Sequence, residues 1–237
     1  MNVERFAFII PVYNHEQGVA QVAHEAVSLG MPVFVVDDGS TDSSYDRIRG
    51  IRGVTVLRHE ENRGKGEAIM TGFAAAVKTA DWAITVDADG QHHPKDALEM
   101  MQAIESGARP IVIGRREGMS AAEVPWASRF GRLFSNFWVR LSGGPCVSDT
   151  QSGMRIYPLP EAMNLNVQAR RFQFEVEILV RAAWKGMQII EAPVSVTYQP
   201  PAQRISHFRG FVDSMRNAST FSRLIVIRLF IPRSLRI

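Results

Sequence analysis

Cysteine is almost absent: Cys146 is the only one in 237 residues. A disulfide framework and a thiolate zinc site are therefore excluded. No apolar run approaches the ~18 residues that suggest a membrane-spanning helix. Internal repeats and low-complexity linkers are missing as well. The N-terminus passes from Met1 through Glu4 and Arg5 straight into an apolar segment. It lacks the basic, apolar and small-residue layout of a secretory leader, so an intracellular chain is expected. Lysine is missing from residues 204–237, which carry seven arginines and one aspartate, a balance of +6. The chain's net charge of +3 then leaves −3 for the remainder. Such a segment either attracts an anionic partner or forms a solvated helix face. Its aromatics do not alternate with arginine as base-stacking platforms do, and no helix-turn-helix or zinc signature accompanies it. No nucleic-acid partner is expected.

The composition, 46% apolar and 22% charged, is that of an ordinary globular chain. Residues 6–13 form a continuous apolar run, the pattern of a strand buried on both faces. Val19, Val22, Ala23, Ala26 and Val27 predict a helix over 16–29, stopped by Gly30. Further strands are expected at 33–36, 54–57, 82–86 and 111–113, and helices at 64–79 and 94–106. This alternation predicts an α/β fold with a doubly wound, mostly parallel sheet. Ligands bind such sheets at the carboxyl ends of the strands. Asp37–Asp38 and Asp87–Asp89 should therefore share one rim. Beyond Gly114 the pattern changes. Helices are expected at 123–141, 172–185 and 207–230, with an irregular polar segment over 149–157 followed by a short strand. Two short strands are expected across 187–198, split by Pro193. We read this half as an extension of the same sheet.

Four polar clusters carry the chemistry. Asp87 and Asp89, at i and i+2 after a buried strand, can aim oxygens at one hard cation, Mg²⁺ or Mn²⁺. Asp37 and Asp38 either bind a ribose hydroxyl or base N–H, or cap the helix near 41–48. Asn62-Arg-Gly-Lys65-Gly66 opens a helix, where it either cradles phosphate or permits close packing. It matches neither the P-loop nor the dinucleotide-binding glycine spacing. Asp149-Thr-Gln-Ser-Gly-Met-Arg155 is a dense polar run. In it Asp149 can orient an acceptor or act as a base, and Arg155 can pair with Asp149 or a phosphate. A hydrogen-bonded turn is the structural alternative.

These clusters occur in one order with Ile10-Pro-Val-Tyr13-Asn14, Val36-Asp-Asp38-Gly-Ser, Asp87-Ala-Asp89-Gly-Gln91-His92 and Phe174-Glu-Val-Glu-Ile178. Together, over about residues 6–209, they resemble family 2 glycosyltransferases of the dolichol-phosphate mannosyltransferase type. The resemblance implies a GT-A fold and inverting transfer of a sugar from a nucleotide-sugar donor. One domain over 1–237 is then expected, with a donor-binding half at about 5–116. An acceptor-side half follows at about 117–203, and a basic segment at about 204–237. By position, Pro11, Tyr13, Val36, Asp38, Asp87 and Ala88 would hold the nucleotide. Asp89 and Gln91, with Asp87, would hold a divalent ion on the diphosphate. Lys65 and Arg116 would face phosphate or sugar, and Arg204 and His207 would lie in a segment closing over the donor. Asp89, Asp149 and Arg155 are the catalytic candidates. Ser128, Arg129, Arg132 and Ser135 are candidates for the acceptor side.

The implied donor is a GDP- or UDP-sugar, with mannose or glucose as the candidate sugars, and the implied acceptor a lipid such as polyprenyl phosphate. Two alternatives stand beside it: a hydroxyl acceptor in glycolipid or polysaccharide assembly, and a non-catalytic nucleotide-sugar-binding scaffold. The C-terminal segment, arginine interleaved with Ile, Leu and Phe, is expected either to rest peripherally on the cytoplasmic membrane face or to pack on the core.

Overall fold

The computed structural model describes residues 4–117, 126–197, 210–232 and 235–236. In chain order the elements are β1 (Phe6–Val12), α1 (Val19–Ser28), β2 (Val33–Asp37), α2 (Ser44–Ile48), β3 (Val54–Arg58) and α3 (Lys65–Ala76). There follow β4 (Trp82–Thr85), α4 (Ala97–Gln102), β5 (Ile111–Arg116) and α5 (Trp126–Leu141). The last are β6 (Arg155–Pro158), α6 (Phe174–Trp184), β7 (Ile189–Val194) and α7 (Gly210–Phe230). The strands form a seven-stranded sheet in the order β3-β2-β1-β4-β6-β5-β7. All pairings are parallel except those of β6, which is antiparallel to both β4 and β5.

The apolar run of β1 explains the layering. Phe8, Ile10 and Val12 enter one core with Val22 of α1 and Met100 of α4. Ala7 and Ile9 enter the other, with Phe73 of α3 and Ile178 of α6. Both faces of the strand are therefore covered, as in parallel sheets generally. A third cluster joins Val139 of α5, Val180 and Trp184 of α6, and Phe221 and Leu224 of α7. Fully buried Glu177 helps to tether α7. It accepts hydrogen bonds from Arg181 at 2.6 Å and from Arg223 of α7 at 2.5 Å.

Two prolines obey the ladder. The N–H of Phe8 faces β2, donating to Pro32 O at 2.8 Å. Odd residues of β1 therefore face β4, whose pairing ends at Ile9↔Thr85. The ladder closes with Val86 N donating to Ile9 O at 3.2 Å, and Pro11, with no N–H to continue it, ends it there. Pro193 does not split β7 in two, contrary to the sequence expectation. The carbonyls of Gln188 and Val194 accept from β5, so Pro193 points outward from an edge strand, where a missing donor costs nothing. Val196 then makes a single antiparallel bridge with His92. The expected helix over 94–106 is a 3₁₀ turn at Pro94–Asp96 followed by the short α4.

Candidate active site

The carboxyl ends of β1, β2, β4 and β5 lie on one edge of the sheet. β6 runs the other way, so it starts at that edge, with Arg155 opposite both Thr85 and Ile113. The polar segment before it is delivered between the ends of β4 and β5. Gly153 lies against β4's end: a Cβ at this position would displace the Asp87 carboxylate. The Thr85 hydroxyl donates to Gly153 O at 3.3 Å, and Gly114 N donates to Met154 O at 2.9 Å.

Lys65 is the electrostatic centre of this rim. Its Nζ lies 2.6 Å from Asp87 Oδ1 and 2.5 Å from Glu175 Oε1. Burial disfavours its charge, yet the two carboxylates raise its pKa above the ordinary lysine value. Burial would likewise raise Asp87, but Lys65 holds that carboxyl below its usual range. Asp89 behaves oppositely. Burial, reinforced by the charge of Asp87, pushes it up to about 6. Its Oδ1 accepts the Gln91 N–H at 2.9 Å. His92, 5% exposed, is pushed down to about 4 by burial despite Asp87 nearby. The next segment folds back here, with Thr197 N donating to Gln91 O at 2.9 Å. Arg204 and His207 lie beyond it, outside the described residues.

The nucleotide-side candidates gather at the ends of β1 and β2. Pro11 pairs in register with Val36, Tyr13 follows β1, and Ala88 is buried between Asp87 and Asp89. Neither Asp37 nor Asp38 caps α2. Asp37 Oδ1 accepts Ser40 N at 3.0 Å and Oδ2 pairs with Arg58 at 3.0 Å. Asp38 is tied to His59 Nδ1 at 2.7 Å and to the N–H groups of Arg63 and Gly64 at 2.9 and 2.7 Å. The loop 62–66 is closely packed: a Cβ at Gly66 would meet Phe174 at 2.5 Å, and one at Gly64 would strike Arg171. Close packing therefore accounts for both glycines. Lys65 faces carboxylates.

On the acceptor side, Asp149 is 1% exposed. Arg116 grips it with two hydrogen bonds, Nε to Oδ2 at 2.5 Å and Nη2 to Oδ1 at 3.0 Å. Arg132 approaches Oδ2 at 3.8 Å. Ser135 shares a 2.8 Å hydrogen bond with Thr150. The side chains of Ser128 and Arg129 lie outside the described residues. Arg155 pairs with neither Asp149 nor open solvent. It is 1% exposed, and it donates to the carbonyls of Ser152, Glu175 and Thr150 at 2.8, 2.7 and 2.9 Å. Its guanidinium thereby ties the 150–153 loop to α6. Glu175 is the partner that sequence reasoning missed. Its signal was a carboxylate in a helix otherwise buried nearly all round.

The donor set suits a hard divalent ion: carboxylate and amide oxygens leaving one strand end. Two close carboxylates, one with its pKa raised by the other, are what such an ion relieves. Among the described residues, no group of three or more His, Cys, Asp or Glu side chains could hold a metal alone. Any ion here needs donors from a ligand, as Mg²⁺ commonly does with substrate phosphates.

An α/β sheet with an acidic pair at one strand end and two arginines beside it is an architecture that nucleotide-dependent transferases use. Residues 7–159 match Glycosyl transferase family 2, and the chain belongs to that family. It is 30% identical to the UDP-N-acetylglucosamine–dolichyl-phosphate N-acetylglucosaminyltransferase of Methanococcus voltae, over 93% of this chain and 95% of that one. It is 26% identical to the polyprenol monophosphomannose synthase of Mycolicibacterium smegmatis, over 82% and 78%. The glucosyl-3-phosphoglycerate synthase of Mycobacterium tuberculosis, solved with Mn²⁺, UDP-glucose and phosphoglyceric acid, superposes with a TM-score of 0.70. Identity there is 19%, covering 97% of this chain and 81% of that one. The fold is GT-A, and the protein is a glycosyltransferase acting on nucleotide sugars.

Proposed function

We propose that the protein transfers a sugar, with inversion, from a GDP- or UDP-sugar to a polyprenyl phosphate at the cytoplasmic membrane face. The carrying observation is the acceptor side. Asp149, the carboxylate there, has both oxygens engaged by Arg116, with Arg132 beside it. A hydroxyl acceptor needs a base to remove its proton. A phosphomonoester is already anionic near neutral pH (second pKa about 6) and suits a pocket with two guanidinium groups and one carboxylate. The acceptors named for the M. voltae and M. smegmatis relatives are of this class.

On this reading Pro11, Tyr13, Val36, Asp38, Asp87 and Ala88 line the nucleotide pocket. Asp89 and Gln91, steadied by Asp87, hold Mg²⁺ or Mn²⁺ together with the donor diphosphate. The ion, when bound, offsets charge developing on the leaving diphosphate. Lys65 holds Asp87 in place. Arg116 and Arg132 orient the acceptor phosphate, whose oxygen attacks the anomeric carbon from the face opposite the leaving group. Arg155 positions the 149–153 loop. Arg204 and His207 belong to the segment that closes over the donor, and the basic C-terminal segment provides peripheral membrane contact. Residues 1–237 act as one domain.

The test is a donor panel with purified protein, offered polyprenyl phosphate or the matching polyprenol, with products identified by mass. The expected outcome is a glycosyl phosphate lipid from the phosphate alone, with at least ~100-fold loss in Asp89→Ala. Glycosylation of the polyprenol at comparable rate would contradict the reading.

A further inference from the structure

A buried polar atom in a folded protein has a hydrogen-bond partner as a rule, because an unpaired one keeps its full desolvation cost. His92 departs from that rule at the functional rim. The residue is 5% exposed, and its Nδ1 is buried with no hydrogen-bond partner among the described residues. Neither the nucleotide, the divalent ion nor the acceptor phosphate has a use for it so far.

The sheet dictates where the ring stands. β7 lies beside β5, with Val194 opposite Arg116. Just beyond, Val196 bridges to His92 and Thr197 N donates to Gln91 O. His92 is therefore at the β5 end of the rim, whereas Asp87, where the same loop begins, is at the β4 end. Between these two residues the chain crosses the start of β6, which lies between β4 and β5. Charges from both ends reach the ring: Asp87 and Lys65 from one, Arg116 and Asp149 from the other.

An inverting displacement fixes what occupies the interval between those ends. The attacking and leaving oxygens lie on opposite faces of the anomeric carbon, so the sugar is held between the donor diphosphate and the acceptor phosphate. The diphosphate has Asp89, Gln91 and the ion; the acceptor phosphate has Arg116 and Arg132. Sugar hydroxyls both donate and accept, and an imidazole nitrogen does one or the other according to its tautomer. We propose that His92 is a specificity-determining residue whose Nδ1 hydrogen-bonds a hydroxyl of the sugar being transferred. A sugar lacking that hydroxyl leaves the nitrogen buried and unpaired, which is how a hydrogen-bonding site rejects a close analogue. The identity of the ligand rests on the inverting nucleotide-sugar reading; the unpartnered nitrogen and its position do not.

The test is titration calorimetry of the full chain with Mn²⁺, comparing UDP with UDP-glucose and GDP with GDP-mannose. For the sugar nucleotide that the wild type binds, His92→Leu should weaken binding about fivefold and leave the free diphosphate within about twofold of wild type. His92→Asn, which keeps a polar atom where Nδ1 stands, should recover most of that affinity. His92→Gln moves the polar atom out to the place of Nε2 and should repeat the loss, which provides a second reading where thermal unfolding shows leucine to disturb the fold. Equal weakening of diphosphate and sugar nucleotide would overturn the proposal, because His92 would then only support the ion-binding loop. So would unchanged sugar-nucleotide binding by His92→Leu and His92→Gln, the result expected of a nitrogen satisfied by water. A wild type that takes up neither sugar nucleotide would contradict the donor reading itself, and this inference with it.

Discussion

Replacing Arg155 with lysine keeps the charge but leaves at least two of the carbonyls of Thr150, Ser152 and Glu175 without their donor. Each buried unsatisfied group costs about 1–3 kcal/mol, so Arg155→Lys should lose about 2–5 kcal/mol in denaturant unfolding. An arginine that met substrate would instead lose activity at unchanged stability. Residue type and spacing marked Arg155 as important, but what it faces depends on Glu175, twenty positions away. The Asp89–His92 pair offers a second prediction. In the folded state Asp89 titrates at about 6, against about 3.9 when unfolded. It therefore opposes folding above pH 6, and that penalty fades on acidification toward pH 4. His92 titrates at about 4, against about 6.5 unfolded. Its contribution is intact above about pH 6.5 and is lost as pH falls toward 4. The two slopes oppose each other. Asp89→Asn exposes the histidine alone, and between pH 6.5 and 4.5 it should lose about 2 kcal/mol more than wild type. Parallel stability curves would contradict this assignment.

Among the elements, β1, β2, β4 and β5 were legible because parallel strands covered on both faces leave largely apolar runs, as in 6–13; β3, an edge strand without a fully buried residue, was legible from Val54, Val56 and Leu57. Their shared rim followed from the alternation with helices, and so did the meeting of Asp87 and Asp89 there. β6 was legible only as a short strand after a polar segment. Its four residues, Arg155–Pro158, carry no local mark of direction or neighbours. Both are set by the long path through α5, which returns the chain between β4 and β5. That placement brings Gly153 against Asp87 and Asp149 to Arg116. Proline in β7 was misread because a sequence does not say which ladder side a nitrogen faces. The N-terminus of α3 was ambiguous for a similar reason. Glycines 64 and 66 permit phosphate approach or packing equally well in a sequence, and the packing partners, Arg171 and Phe174, lie more than a hundred positions away.

At the scale of the molecule, the sheet presents an acidic end at β4 and a cationic one at β5, with α5 covering the latter. The account rests on the β4 end, where a divalent ion and a donor diphosphate are expected to bind jointly because neither has enough ligands alone. Titration calorimetry of GDP- and UDP-sugars, with and without Mn²⁺, measures that coupling directly. One of these donors should bind at least ~tenfold more tightly with the ion present, a coupling of about 1.4 kcal/mol, and Asp89→Asn should abolish the gain. Donor binding by the wild-type protein that is indifferent to Mn²⁺ and Mg²⁺ would contradict the account.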